Sequence, residues 1–415
     1  DALQNHLKRM LPAYMLPAAF VRISAVPLTP VGKINRAALP EPVFAGDHGD
    51  TTTSQPRDAV ERDLVELWSR VLKTARVRLR DNVFALGGHS LAAVGMFDQI
   101  SQRFGKSLPL AMLFDHPTIA QLAPLLRDDR EVPRAPILVP LKTEGSRLPF
   151  YFVHGIGGDL VFLKPLAEAL PDDQPLFGLR AMGTDEREEP DADIASMARR
   201  YLDAIRTVQP AGPYHIGGFS SGGTIAFEMA QQLLADGQDV GLLAVFDHAP
   251  LHVGGRRPTW HPARLARWIY NLPFYVVDDL LRPARKVNAV SRVKGKLRVW
   301  REKVGHRMGL AKPAESRLDF QAMFGVTTLS DHRKRFLQMH YDALRNYRPQ
   351  PYAGRVTVFR ARTRPLFQTN LPEARWRHIA QQVVTHVIPG SHEGMFRRPH
   401  VERIARALAE HLHQP

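Results

Sequence analysis

The sequence predicts a multidomain protein in which a small four-helix bundle precedes a larger α/β domain with a mostly parallel sheet. Residues 57–127 hold short apolar stretches at helical spacing. Residues 138–415 alternate strand-like and helix-like runs, which is typical of a sheet covered by helices on both faces. A chain of 415 residues with 44% apolar and 23% charged residues has room for about two to four globular domains.

The first 56 residues are predicted to be a fragment and a linker. Residues 1–40 contain one strand-like run, residues 19–23, between proline-rich turns, and one strand cannot bury a core alone. Residues 41–56 are rich in glycine, threonine, aspartate and proline, as linkers are. Because the chain starts at Asp1 rather than methionine, we expect it to be a piece of a longer protein.

The bundle contains a serine at a predicted helix start. Its first helix is marked by Val60, Leu64, Leu67, Trp68, Val71 and Leu72. Ser90 lies where a pair of glycines ends and a helix over residues 91–100 begins, so on physical grounds it could simply cap that helix. The stretch at 81–91, D-N-V-F-A-L-G-G-H-S-L, however, resembles the attachment motif of peptidyl carrier proteins.

This resemblance implies that Ser90 carries a covalent 4′-phosphopantetheine arm, added by a phosphopantetheinyl transferase. A helix N-terminus favours the phosphodiester of such an arm. Tethering raises the effective concentration of the acyl thioester that the arm presents. Residues 128–137 are charged and proline-bearing and are predicted to link this carrier domain to the next domain.

Six strand-like runs define the larger domain: residues 149–153, 175–179, 214–216, 240–246, 355–359 and 383–388. Helix-like segments such as residues 195–207 and 224–234 separate most of them. In parallel sheets of this kind, functional residues lie at the carboxyl ends of the strands. Each candidate catalytic residue follows one of these runs.

The segment G-G-F-S-S-G-G after the third run contains a G-x-S-x-G motif between a strand and a helix, the setting of a nucleophile elbow. Ser220 fits the motif, because Gly218 and Gly222 lie two residues to either side. Ser221 does not fit, because phenylalanine lies two residues before it. The alternative is a glycine-serine turn that caps the helix.

Asp247 and His392 are the predicted acid and base that accompany Ser220. Asp247 ends a strand 27 residues after the serine, and no carboxylate follows the next strand until Glu373. His392 lies in a glycine-flanked loop after the last strand, and the order Ser, Asp, His is that of α/β-hydrolases. By position, His154 and His248 are rivals for the base, whereas His386 is mid-strand and expected to be packed. Asp247 could also be an ordinary turn residue.

Residues 154–158, H-G-I-G-G, follow the first of the six runs and resemble the HG-type loops that aim a backbone N–H at a developing alkoxide. The resemblance implies Ile156 N–H and Ser221 N–H as the two oxyanion donors. A phosphate-binding loop is the alternative, but no complete P-loop or dinucleotide-binding motif is present.

Charge is concentrated in residues 251–335, between Asp247 and the last two strand-like runs. The net charge is +15, and residues 251–335 hold 19 Lys and Arg against 6 Asp and Glu. Three interpretations stay open: a solvated helix face, a grip on an anionic arm or acyl chain, or contact with nucleic acid or a membrane. We expect no nucleic-acid or membrane partner, because no binding motif or amphipathic anchor accompanies the charge.

Zero cysteines exclude disulfides and thiolate chemistry and fit a cytoplasmic location. No metal site is predicted.

Taken together, these motifs resemble the C-terminal part of a nonribosomal peptide synthetase. The implied order is the end of an adenylation domain (1–40, with a closing G-K-x-x-R motif at Lys33), a peptidyl carrier domain (57–127), and a type I thioesterase domain. The last would be an α/β-hydrolase domain (138–415) with a helical lid insertion at about 251–335. Valine replaces the usual asparagine before the G-K pair.

This resemblance implies release of a carrier-bound peptidyl or acyl thioester through acyl-Ser220, by hydrolysis or macrocyclisation. Upstream synthetase domains in cis would supply the peptidyl thioester. Two other functions stay open: an editing hydrolase that clears misacylated carriers, and a non-catalytic carrier or docking module.

Overall fold

A computed structural model describes Pro27, residues 55–128, residues 134–253, residues 329–363, and residues 371–413 except 393. Within 55–128, gaps occur at 73, 75–76, 84–85, 87–89, 107 and 109–111. The predicted adenylation-domain end, nearly all of the 41–56 linker, part of the 128–137 linker and most of the predicted lid lie outside the described residues. Within these ranges, no helix combines the length and apolar character needed to cross a membrane.

The predicted four-helix bundle is confirmed. Its helices are α1 (Ala59–Leu72), α2 (Ser90–Phe104), α3 (Met112–Asp115) and α4 (Ile119–Arg127). The apolar residues predicted for the first helix bury one face of α1 against α2 and α4, with a core that includes Leu64, Leu67, Trp68, Met96, Ile100, Leu122 and Leu126. Thr118 caps α4, since its side chain accepts the Gln121 N–H.

A buried carboxylate ties α1 to α4. The Glu61 side chain is buried, and its Oε1 accepts hydrogen bonds from Arg57 Nη2 and Arg127 Nη2, both at 2.8 Å. Arg127 Nε also donates to Asp58 Oδ2 at 2.7 Å. Burial opposes ionisation of Glu61, but the hydrogen bonds from the two arginines outweigh it and lower the pKa of this carboxyl to about 2.

The larger domain is built on a seven-stranded sheet in the order β1-β3-β2-β4-β5-β6-β7. The strands are β1 (Leu138–Lys142), β2 (Phe150–Val153), β3 (Leu176–Leu179), β4 (Tyr214–Phe219), β5 (Val240–Phe246), β6 (Tyr352–Ala361) and β7 (Ala380–Ile388). Only β1 runs antiparallel to its neighbour. Strands β2–β7 correspond to the six predicted runs. Edge strand β1 was not among the predicted runs, because it is half-exposed and contains Pro140.

Helices cover both faces of the sheet, as predicted. Alternating residues of β2 show the two layers. Tyr151 and Val153 pack with α6 (Ile194–Arg206), α7 (Ser221–Ala235), the end of α8 (Asp331–Asn346) and α9 (Pro372–Trp376). Phe150 and Phe152 pack with α5 (Lys164–Ala169) and α10 (His400–Leu412). This arrangement leaves the carboxyl ends of the parallel strands to carry the candidate site.

We expect Glu61→Gln to destabilise the bundle by about 1–2 kcal/mol at pH 7, because a neutral amide replaces the ionised carboxylate that pairs with two arginines. Because the pKa of Glu61 is lowered in the folded state, its ionisation stabilises the bundle at pH values above the ordinary pKa of 4.5. This contribution is lost as the pH falls toward about 2. Hydrogen exchange of the α1 amides, measured from pH 6 to pH 3, reports both effects.

The matched control is Glu66→Gln on the same helix. Glu66 pairs with Arg70 in an exposed i,i+4 ion pair, so its loss should change stability by less than about 0.5 kcal/mol. An equal loss in both variants, or an unchanged acid dependence in Glu61→Gln, would contradict the role given to the buried carboxylate.

Candidate active site

Ser220 occupies a strained turn between β4 and α7, with φ 54 and ψ −125. Positive φ is rare for residues other than glycine, and such strain often marks functional positions. The flanking positions must be glycines, because neither has room for a side chain. A Cβ on Gly218 would lie 2.1 Å from the Gly222 carbonyl oxygen, and a Cβ on Gly222 would lie 2.1 Å from the His154 carbonyl oxygen. Side chains at either position would force the strand, turn and helix apart.

Asp247 follows β5 and also has a positive φ, 50°. Its buried carboxylate is held at both oxygens. Oδ1 accepts the Ala361 N–H at 2.9 Å, and Oδ2 lies 2.8 Å from His392 Nδ1. Because an ionised carboxylate can only accept, the proton belongs on Nδ1, which leaves the His392 Nε2 lone pair available. The imidazole is therefore oriented for accepting a proton at Nε2.

A stacking contact places the His392 ring beside the turn. Its centroid lies 4.6 Å from that of Phe219, with 29° between the ring planes, and Phe219 immediately precedes Ser220. The His392 side chain is 38% exposed, whereas that of Asp247 is 4% exposed. The ring is thus anchored at one end by a buried acid and open to a substrate at the other.

The rival histidines are engaged elsewhere. His154 is buried, with Nδ1 2.6 Å from the Gly155 carbonyl oxygen and Nε2 2.6 Å from the Tyr201 hydroxyl. His248 Nε2 hydrogen-bonds Thr224 Oγ1 at 2.7 Å. Burial lowers the pKa of each ring to about 4, so both are neutral near pH 7. Both ring nitrogens of His154, and Nε2 of His248, therefore already have hydrogen-bond partners.

The remaining rivals also have partners of their own. His386 stacks on Phe359, and its Nε2 lies 2.7 Å from Nε2 of His411. Glu373, the first carboxylate after the next strand, forms an ion pair with Arg360 at 3.2 Å. Asp247 is the carboxylate that the structure brings to His392.

The H-G-I-G-G loop is a tight turn whose amide direction is fixed by His154. The Gly155 carbonyl accepts the Gly158 N–H at 2.9 Å and the His154 Nδ1–H. This carbonyl and the Ile156 N–H belong to one trans peptide plane and point in opposite directions. Holding the carbonyl therefore also fixes the direction of the Ile156 N–H. In the sequence, His154 is marked only as a rival base, and no local pattern reveals this role.

Arg333 braces the same loop from α8. Its buried guanidinium donates through Nη2 to the Gly157 carbonyl and lies over the Phe336 ring at 4.8 Å. Arg333 was not a candidate from the sequence, because it lies at the end of the basic segment 251–335 among many other arginines. No local motif distinguishes it.

The second predicted donor, Ser221 N–H, lies at the first position of α7, where amides have no acceptor within the helix. Gly222 packs against the Val153 and His154 carbonyl oxygens, which brings this helix start against the loop that holds Ile156. The Ser221 hydroxyl is buried and has no hydrogen-bond partner among the residues that the structure describes. Of the two adjacent serines, only Ser220 occupies the strained turn.

Ser90 is the first residue of α2, a 15-residue helix. The predicted helix therefore begins one residue earlier and ends four residues later than expected. Gly87, Gly88 and His89 of the motif lie outside the described residues. A serine at the start of a helix suits a phosphodiester, because the first-turn amides and the helix dipole favour an anion there.

Comparisons with known proteins agree with both domains. Residues 62–126 match the family described as phosphopantetheine attachment site, so this domain carries covalently attached 4′-phosphopantetheine. A chondramide synthase of Chondromyces crocatus is 31% identical over a 423-residue alignment that covers 99% of this chain and 10% of that protein. A dimodular nonribosomal peptide synthase of Bacillus subtilis is 41% identical over 250 residues, covering 60% of this chain and 10% of that protein.

The chain spans about a tenth of the length of these curated relatives. A solved structure of a holo four-domain nonribosomal peptide synthetase, bound to AMP and glycine, covers 100% of this chain with a TM-score of 0.50 and 24% identity. The chain covers 30% of that protein, and the likeness concerns the fold alone. Residues 149–412, more than half of the chain, match the family described as thioesterase domain. The chain therefore belongs to the thioesterase domain family, with a phosphopantetheine carrier domain preceding the thioesterase domain.

Proposed function

We propose that this chain releases a peptidyl or acyl group from its own carrier domain through an acyl-serine intermediate on Ser220. The observation that carries the proposal is the 2.8 Å hydrogen bond between His392 Nδ1 and the buried Asp247 carboxylate, beside the strained turn that presents Ser220. A nucleophile, a base and an orienting acid are the groups that acyl transfer requires.

In the first half-reaction, His392 Nε2 accepts the Ser220 proton as Oγ attacks the thioester carbonyl carbon. Asp247 stabilises the imidazolium that forms and keeps its ring in place. Ile156 N–H and Ser221 N–H donate to the oxyanion of the tetrahedral intermediate, where each such donor typically contributes a factor of about 10²–10³. The thiol then leaves with the proton from His392, and the acyl group stays on Ser220.

In the second half-reaction, His392 takes a proton from the incoming nucleophile as it attacks the acyl carbon, and returns that proton to Ser220 Oγ as the ester bond breaks. Water yields a free acid, and a hydroxyl or amine of the same acyl chain yields a macrocycle. The same two backbone amides serve both halves, because the oxyanion forms at the same place.

Ser90 is the proposed attachment point of 4′-phosphopantetheine, which supplies a thiol that holds the acyl chain as a thioester. A helix begins at Ser90, so its first-turn amides would favour the phosphate of the arm. We further propose that residues 1–40 are the end of an adenylation domain, that 41–56 and 128–137 are linkers, and that the carrier and thioesterase domains extend over 57–127 and 138–415.

The proposed partners are upstream synthetase domains in cis, which deliver the peptidyl thioester, and a phosphopantetheinyl transferase. A cytoplasmic location is proposed because a cysteine-free chain suits a reducing compartment. The geometry of Ser220, Asp247 and His392 argues against a non-catalytic docking module. A carrier domain in the same chain argues against an editing hydrolase that serves other carriers.

An active-site serine probe should label the parent chain and not Ser220→Ala. Ser221→Ala is the matched control, because it keeps the backbone N–H and removes only a buried hydroxyl without a hydrogen-bond partner in the described part of the chain. Intact mass after incubation with a fluorophosphonate measures labelling. Equal labelling of Ser220→Ala and the parent, or an inert parent, would refute the nucleophile.

Asp247→Asn should lower the turnover of an acyl-pantetheine thioester by about 10³–10⁴-fold, because the orienting charge is lost while size is kept. Glu373→Gln removes the carboxylate that follows the next strand and should keep turnover within a few-fold of the parent. Steady-state rates of thiol release measure both variants. A larger loss in Glu373→Gln than in Asp247→Asn would reverse the assignment of the acid.

Incubation with coenzyme A and a phosphopantetheinyl transferase should raise the intact mass of the chain by one 4′-phosphopantetheine. Ser90→Ala should gain nothing, because the attachment hydroxyl is missing. Ser220→Ala should gain the full arm, because its carrier domain is unchanged. An unchanged parent mass, or an equal gain in Ser90→Ala, would overturn the attachment site.

A further inference from the structure

The carrier and thioesterase domains touch at the N-terminus of α8. Asp98 Oδ2, on the carrier helix α2, accepts the Ser330 N–H at 2.9 Å. Ser330 is the N-cap of α8, and its own Oγ accepts the Arg333 N–H. The two residues are 232 positions apart, so the contact joins separate domains rather than neighbouring turns.

The thioesterase side of this contact is positively polarised. The N-terminus of a 16-residue helix carries partial positive charge and unpaired amides. The buried Arg333 lies one turn further along, with its Nε lacking a hydrogen-bond partner among the described residues. Burial lowers the pKa of Arg333, and the Asp159 and Asp98 carboxylates oppose that shift. A carboxylate from the carrier complements this charge.

We propose that the N-terminus of α8 is the surface on which the carrier domain docks to deliver its acyl group, with Asp98 as the carrier residue that anchors it. The inference rests on the proposed function, since it concerns how Ser90 and Ser220 exchange an acyl group. Its occupant is the carrier domain of the same chain.

Two features make this docking position useful for transfer. Asp98 and Ser90 lie on one helix, eight residues and so about 12 Å apart along its axis, which leaves the attachment serine outside the contact itself. On the other side, Arg333 joins the start of α8 to the Gly157 carbonyl of the oxyanion loop. The docked carrier therefore abuts the element that supports the catalytic loop.

The contact is also suited to repeated use. A single charge-assisted hydrogen bond is weak between separate molecules, but tethering within one chain makes the encounter intramolecular. A carrier held in this way can dock for transfer and then leave to be reloaded.

Amide hydrogen exchange at Ser330 tests the contact without relying on activity. In the full-length holo chain, Asp98→Ala should speed exchange of the Ser330 amide, because its acceptor is lost. Asp63→Ala is the matched control: it removes another carrier carboxylate, which pairs with Arg103 within the carrier domain, and should leave Ser330 exchange at the parental rate. Parental exchange at Ser330 in Asp98→Ala would overturn the docking position.

Single-turnover acyl transfer from the carrier domain tests whether the docking position serves delivery. The carrier is loaded from a short-chain acyl-coenzyme A by the transferase, and loss of the acyl group from Ser90 is followed by intact mass. The ratio of this rate to the rate of cleaving the same acyl group on free pantetheine should fall about tenfold in Asp98→Ala and stay unchanged in Asp63→Ala. An unchanged ratio in Asp98→Ala would overturn the delivery role. A parent that cleaves neither thioester would instead refute the proposed function, while Ser330 exchange would still report the contact.

Discussion

The close approach of Gly222 to the His154 carbonyl is the constraint on which the candidate site depends. A Cβ at Gly222 would lie 2.1 Å from that oxygen, so the first turn of α7 rests directly on the end of β2. This contact brings three things to one point: the strained turn at Ser220, the first amide of α7, and the loop that contains Ile156. Any side chain at 222 would push the loop that contains Ile156 away from Ser220.

The loop that faces Ser220 is held by the buried side chains of His154 and Arg333. His154 is neutral and donates to the Gly155 carbonyl, while the Tyr201 hydroxyl satisfies its other nitrogen. Arg333 donates to the Gly157 carbonyl from α8. Two alternate peptide planes of the loop, 155–156 and 157–158, are therefore anchored from different elements. Such preorganisation matters because oxyanion donors act without rearranging as charge develops. Arg333 also links the start of α8, where the carrier touches the thioesterase domain, to the loop that contains Ile156.

Local patterns were sufficient for the fold and for much of the candidate site. Alternating apolar runs predicted six of the seven strands and the four helices of the bundle, since burial on defined faces leaves a periodic record in sequence. Glycine spacing selects Ser220 over Ser221 because the steric demands of the turn are local. Edge strand β1 escaped this reasoning, because a half-exposed strand with a proline has no clear period.

The sequence by itself determined the order of the domains, the two marked serines, and a short set of candidate acids and bases. Only the tertiary structure decided among those candidates. His154, His248 and His392 all follow strands. His392 hydrogen-bonds Asp247, whereas the other two rings hydrogen-bond other partners. The bracing of the loop by Arg333 and the contact between Asp98 and Ser330 also join residues far apart in the chain. Burial and hydrogen-bond partners are properties of packing, so no local spacing encodes them.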